Sequence, residues 1–271
     1  VHFLIDADTA LYKAGCSDEQ RWYEVSTIEG EVVHECQYKK DAIEWIGDKP
    51  DLALFQQKSA GPLKNALSNL KTYMNKIIDH EQCDTYEVFI GGTGNFRETV
   101  DPTYKTDRDP MSKPLHLGAM KDYMVKKYKA VRCDGMEADD VVSYLCQNDL
   151  KNNCIVSVDK DLRNSPGWHF NPDKLIMDYV TEAEADLNFY RQLLMGDATD
   201  GIVGIAGYGK AAAMRVLPES MPTEDLCSIV YAEYISKGYD YDYFLVQGRL
   251  LWMLREKGVM WTPPLMIGET E

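Results

Sequence analysis

Residues 131–161 read VRCDGMEADDVVSYLCQNDLKNNCIVSVDKD, and the order of signals within them decides the fold. Val131 to Asp134 leads into Gly135 and a helical pattern from Glu137 to Leu150; an apolar run, Cys154 to Val158, follows and stops at Asp159-Lys160-Asp161. A short apolar run bounded by polar residues reads as a buried strand. The start of the chain behaves alike, since Phe3 to Ile5 ends at Asp6-Ala7-Asp8 and Tyr86 to Ile90 is stopped by Gly91-Gly92-Thr93-Gly94. Strands alternating with helices predict an α/β fold with a mainly parallel central sheet, whose sites lie at the C-terminal strand ends.

Working outward, Leu63 to Ile78 carries one apolar stripe at helical spacing behind Pro62, and Leu115 to Lys129 resumes a helical pattern after a proline-bearing loop from Thr103 to Pro114. Trp22 to Ile28 and Glu31 to Cys36, joined at Glu29-Gly30, predict a hairpin within an insert from about Gly15 to Cys36. Beyond residue 180 the pattern becomes helical: Glu182 to Met195, Lys210 to Leu217, Thr223 to Lys237 and Tyr241 to Lys257, with a glycine-rich turn from Gly196 to Gly209 and a loose tail from Thr262 to Glu271.

The 271 residues are 45% hydrophobic and 27% charged, a composition able to bury a sizeable core. No run approaches the roughly 18 apolar residues of a membrane span, and Val1 to Asp6 lacks the cationic and apolar regions of a secretion signal. With seven scattered cysteines and no Cys-x-x-Cys pair, a reducing, cytoplasmic setting is expected, and an initiator Met is either removed or lies upstream. The net charge of −15 argues against a uniformly nucleic-acid-binding surface, yet from Asp101 to Arg132 eight basic residues stand against four acidic ones.

Acidic residues cluster at Asp6 and Asp8, at Glu137, Asp139 and Asp140, at Asp159 and Asp161, and at Asp197 and Asp200. Solvated or capping carboxylates would account for any one pair. Several carboxylates drawn into one cleft are unfavourable unless cations neutralise them, and Mg2+ or Mn2+ prefers carboxylate and water oxygens. Two such ions activate a water and stabilise a leaving oxygen at a phosphodiester, while Lys105 and Arg108 supply cations to hold the phosphate.

In order along residues 3 to about 217, the landmarks Leu4-Ile5-Asp6-Ala7-Asp8, Asn95-Phe96-Arg97, Tyr104-Lys105-Thr106-Asp107-Arg108, Glu137-Ala138-Asp139-Asp140, Ser157-Val158-Asp159-Lys160-Asp161-Leu162 and Gly196-Asp197-Ala198-Thr199-Asp200-Gly201-Ile202 resemble the flap endonuclease and 5′ to 3′ exonuclease family, its bacteriophage members in particular. The resemblance implies a PIN-like 5′ nuclease core over 1–180 with a helical arch at about 104–129. A helical DNA-binding region over 181–271 would carry a helix-turn-helix at about 196–217. It further implies that Asp6, Glu137, Asp139 and Asp140 serve one Mg2+ or Mn2+ ion and Asp159, Asp161, Asp197 and Asp200 a second. Lys105 and Arg108 would grip the scissile phosphate, Tyr104 stack on a base, and Arg97 lie near the phosphate path. Gly204, Gly207, Gly209 and Lys210 would hold the duplex backbone, with K+ as a further ligand of that segment. The implied substrates are duplex DNA with a 5′ end, flap or nick, and an RNA-DNA hybrid, cut to 5′-phosphate products in the cytoplasm, that of the host if phage-encoded.

One family position departs: an aspartate usually follows the second core strand, where this chain has Gly91-Gly92-Thr93-Gly94, and Asp8 is the nearby carboxylate that could compensate. Asp6-Ala7-Asp8-Thr9 also fits the nucleophile motif of haloacid-dehalogenase-type phosphatases, with Asp6 as nucleophile. Gly204 to Lys210 imitates a Walker A loop, but Ala211 replaces the hydroxyl residue and no strand precedes it. A PIN-type ribonuclease would share the acidic sheet edge without needing the later helices. A branched-DNA-binding relative without catalysis is the alternative from outside the enzymes.

Overall fold

The computed structural model describes residues 1–264, so the part of the expected tail at 265–271 lies outside the described residues. In chain order the elements are β1 (His2–Asp6), α1 (Asp8–Cys16), β2 (Glu19–Thr27), β3 (Val32–Cys36), α2 (Lys39–Ile46), β4 (Leu52–Ala60), α3 (Leu63–Ile78), β5 (Thr85–Gly91), α4 (Arg97–Val100) and α5 (Leu117–Tyr128). There follow β6 (Val131–Cys133), α6 (Ala138–Gln147), β7 (Asn153–Val156), β8 (Gly167–Asn171), β9 (Ile176–Val180), α7 (Glu182–Met195), α8 (Lys210–Val216), α9 (Leu226–Ser236) and α10 (Tyr241–Leu251). Among the described residues no helix is long and apolar enough to cross a membrane.

The chain divides into two compact units. The first comprises Val1–Thr9, Lys76–Arg108 and the chain from Val125 onward. Its six-stranded sheet has the order β6-β5-β1-β7-β8-β9, parallel throughout except for the β8–β9 pair. β1 lies at the middle because Phe3, Leu4 and Ile5 are apolar on both faces, the composition of a strand covered on each side. Cross-strand register sets Asp6 opposite Phe89 of β5. One core cluster joins Leu4, Phe89 and Ile155 of the sheet to Val142 and Cys146 of α6; a second gathers Phe189, Leu193, Val230, Tyr234, Phe244 and Trp261 among the later helices.

The second unit, Ala10–Asn75 with Asp109–Met124, contains a three-stranded antiparallel sheet of order β3-β2-β4. The hairpin expected around Glu29-Gly30 is its β2–β3 pair, turned at Gly30 with φ of 89°. β4 pairs with β2 along its whole length, Glu19 opposite Ala60 and Thr27 opposite Leu52, and had no signal in the sequence reading. Its run Leu52 to Ala60 mixes apolar and polar residues without strict alternation, so the strand is decided by its partner rather than by its own pattern.

Other departures have equally local causes. The helix expected over Tyr241 to Lys257 stops at Leu251, where the chain turns back to lay Trp261 across Gly248; a Cβ there would stand 2.1 Å from the indole. The helix expected from Thr223 begins as a 3-10 turn, Thr223–Asp225, before α9. α7 and α8 are joined by Gly196 to Gly209, far beyond the roughly three or four residues of a compact helix-turn-helix connection.

Candidate active site

The first unit brings the acidic motifs to one end of its sheet. At the close of β1, Asp6 is 9% exposed; its Oδ1 accepts the Asp8 N–H at 3.1 Å and its Oδ2 the Ser157 hydroxyl at 3.1 Å. Burial, with Asp8 and Asp159 nearby, pushes its carboxyl up to about 7. At the N-terminus of α6, Glu137, Asp139 and Asp140 each offer an oxygen within 4.8 Å of the others. Burial and the adjoining Glu137 and Asp140 hold Asp139 well above the ordinary carboxylate range. Glu137 is held below it, because Lys105 and Arg97 outweigh the opposing effect of burial.

Two loops complete the group. After β7, the Ser157 hydroxyl also accepts the Asp159 N–H at 3.1 Å, Asp159 accepts the Asp161 N–H at 2.9 Å, and Gln192 of α7 donates to Asp161 at 3.0 Å. Burial and Asp159 push Asp161 up to about 7. After α7, Asp197 accepts the Thr199 N–H at 2.8 Å in a turn closed by the Asp197–Ile202 bridge. Asp200 pairs with Lys105 at 3.1 Å and with Arg108; those cations hold it below the ordinary range against the effect of burial.

Glu137, Asp139, Asp159, Asp161, Asp197 and Asp200 line a cavity of about 200 Å³ together with Lys105, Arg108 and Lys160. Asp6 and Asp140 are buried and are not among the lining residues. Among the described residues only Glu137, Asp139 and Asp140 converge as a tight trio; Asp161 adjoins Asp159 and Asp197 at the same cavity, and Asp200 is held by Lys105 and Arg108. An all-oxygen set in which burial and neighbouring carboxylates raise Asp6, Asp139 and Asp161 is the donor chemistry that suits hard divalent cations, whose binding would favour the ionised forms.

The cationic and DNA-facing candidates divide. Lys105, at φ of 59°, directs Nζ to Glu137 at 2.5 Å and stands 4.8 Å over the Tyr104 ring. Tyr104 is 7% exposed in the helical core cluster, and its hydroxyl lies 3.1 Å from Glu137 Oε2 and 3.2 Å from Asp200 Oδ2, donating to one or the other. Arg97, expected near the phosphate path, is 1% exposed and bound to Asp140 and to the carbonyls of Leu250 and Trp252. The Gly204 N–H is given to Gln247 at 2.9 Å, and a Cβ on it would stand 2.4 Å from the Gly196 nitrogen. Gly207 and Gly209 have open space where a side chain would project, and Lys210 begins α8.

Asp8 leaves the β1 line, begins α1 and accepts the Gly91 N–H at 3.0 Å with both oxygens. A Cβ on Gly92 would come within 2.4 Å of the Cys133 carbonyl, which gives this chain's glycine there a steric reason. Ser157, Gln192 and the lining residues Leu250, Leu251 and Met253 were not among the site residues expected from the sequence. Ser157 stood within a quoted motif, whereas nothing in α7 marks Gln192.

Residues 51–165 match a family described as 5′-3′ exonuclease, N-terminal resolvase-like domain. Through that segment the chain is similar to 5′ to 3′ exonucleases and flap endonucleases. It is 31% identical over 125 residues to the exonuclease of Escherichia phage T7, covering 43% of this chain and 41% of that protein. It is also 31% identical over 152 residues to the flap endonuclease Xni of Shewanella baltica, covering 50% and 58%. The chain thus spans about two fifths to three fifths of these two relatives. Its fold is like that of the bacteriophage T5 protein solved with metal ions, with a TM-score of 0.54 and 15% identity over 68% of this chain and 80% of that one. The T5 flap endonuclease in a pseudo-enzyme-product complex with DNA and metal ions gives a TM-score of 0.53 at the same identity and coverage.

Proposed function

We propose that this protein is a Mg2+- or Mn2+-dependent 5′ to 3′ exonuclease or flap endonuclease of duplex and branched DNA, and of RNA-DNA hybrids, that leaves 5′-phosphate products. The cavity in which six carboxylates face Lys105 and Arg108 carries this reading. Glu137 and Asp139, backed by Asp6, would hold one ion, and Asp159, Asp161, Asp197 and Asp200 a second. Such ions supply Lewis-acid activation of water and stabilisation of the leaving oxygen.

The chain's own residues do the rest. Lys105 and Arg108 are paired with Glu137 and Asp200 at the cavity wall, so an entering phosphate meets two cations already placed there. Their charge opposes that developing on the phosphoryl oxygens. Tyr104 fixes the backbone at Lys105 by packing its ring in the core and anchoring its hydroxyl to the acidic wall. Gly207, Gly209 and Lys210 are proposed to meet the duplex backbone; Gly204, whose amide is internally engaged, shapes that loop. A phosphatase using Asp6 as nucleophile is disfavoured, because Asp6 is buried and both of its oxygens are engaged, one by the Asp8 N–H and the other by the Ser157 hydroxyl.

Single-turnover cleavage of a labelled flap substrate, compared with binding in Ca2+, tests the assignment. Lys105→Ala is expected to lower the cleavage rate about a hundredfold or more while changing affinity by under about fivefold. Equal losses in both would remove Lys105 from the reacting phosphate.

A further inference from the structure

Arg97 and Asp140 form the most deeply buried ion pair beside the cavity, 1% and 0% exposed. The fork is bidentate, with one terminal nitrogen on Asp140 Oδ2 at 2.5 Å and the other on Oδ1 at 2.9 Å. Each carboxylate oxygen also lies near a backbone amide, Oδ2 by the Glu137 N–H and Oδ1 by the Leu254 N–H, both at 3.4 Å. A carboxylate has about four lone-pair sites, and Asp140 has a protein donor for each.

Arg97 is equally committed. Nε donates to the Leu250 carbonyl at 2.8 Å, a terminal nitrogen donates to the Trp252 carbonyl at 2.7 Å, and the other faces Glu137 Oε2 at 3.6 Å. The Leu254 carbonyl accepts the Ser143 hydroxyl on α6 at 2.6 Å. The segment from Leu250 to Leu254, outside the matched residues 51–165, is therefore bonded both to Arg97 and to the helix that presents Glu137 and Asp139.

We infer that Arg97 and Asp140 are a positioning pair rather than a phosphate contact and a metal ligand: together with the Leu250–Leu254 segment they hold the N-terminus of α6 so that Glu137 and Asp139 face the cavity. This rests on the metal-centre reading above. Glu137, Asp139 and Arg97 line the cavity and Asp140 does not, but every Arg97 nitrogen is already engaged by Asp140 or by the Leu250 and Trp252 carbonyls, so the guanidinium braces the wall rather than offering a donor to a ligand. Removing one member of a buried pair leaves the other's charge uncompensated, whereas neutralising both does not.

Mn2+ titration of the DNA-free full chain, followed by electron paramagnetic resonance with circular dichroism as the folding control, separates the possibilities. Wild-type protein is expected to bind Mn2+; complete failure to bind would remove the metal-centre reading itself. Arg97→Lys keeps the charge but loses the fork, and is expected to weaken Mn2+ binding about tenfold or more in folded protein. Unchanged affinity would overturn the inference. The double variant Arg97→Met with Asp140→Asn should return to within about threefold of wild-type affinity, above Asp140→Asn alone. A folded double variant as deficient as Asp139→Ala would make Asp140 a ligand and overturn it. Ser143→Ala, which removes one bond between α6 and the Leu254 carbonyl and keeps the fork, should lower Tm and cost clearly less Mn2+ affinity than Arg97→Lys does. A parallel loss of affinity there would reduce Arg97 to a general stability role.

Discussion

At Asp6 and Asp161 the same two forces act: burial removes water from the carboxylate, and a neighbouring aspartate opposes its charge. Both groups therefore bind more protons folded than unfolded between the ordinary value of 3.8 and about 7. Stability contributed by their neutral forms is present below that window and lost as pH rises through it. Metal-free protein should accordingly melt higher at pH 5.5 than at pH 7.5, and Mn2+ should raise Tm more at the higher pH. Asp161→Asn should shrink that pH difference; an unaltered profile in differential scanning calorimetry would contradict the assignment. Residue types and motif order made these carboxylates legible in the sequence. The internal bonding of Tyr104 and Arg97 was not, because their partners, Glu137, Asp200, Asp140 and two carbonyls, are brought in from elsewhere in the chain.

Among the elements, those with an unbroken local pattern were readable. β1 centres on the apolar run Phe3 to Ile5, α3 is a regular stripe whose bounds Leu63 and Ile78 match the expectation, and α7 begins at a Thr181–Glu184 capping box. β4 depends on pairing with β2, β8 on parallel pairing with β7 and β9 on β8 in turn, and α10 ends where Trp261 returns to cover Gly248, so these features could not be read from the pattern of their own residues. The connection after α7 is tied by close backbone approach: Gly196 has φ of 71° and a Cβ on it would stand 2.2 Å from the Ile202 carbonyl. Gly196→Ala should therefore disrupt the Asp197–Ile202 turn, lowering stability by about 2 kcal/mol or more and reducing cleavage with it. Thermal melting checks this, and a Tm within about 1 °C of wild type would contradict the role given to that turn.

Across the whole molecule the charge of −15 contrasts with the cations gathered at Lys105 and Arg108. A polyanionic substrate approaching an acidic protein is opposed at long range, so productive contact depends on neutralising the carboxylates that line the cavity. The account therefore stands or falls on metal-dependent polarity of cutting. Duplex and flap substrates labelled separately at the 5′ and 3′ ends, incubated with Mg2+ or with EDTA, measure it directly, with Asp139→Ala as the inactive control. Short products carrying the 5′ label, formed only with Mg2+ and absent for Asp139→Ala, are predicted. Products that release the 3′ label first, or cleavage that persists in EDTA, would contradict the account.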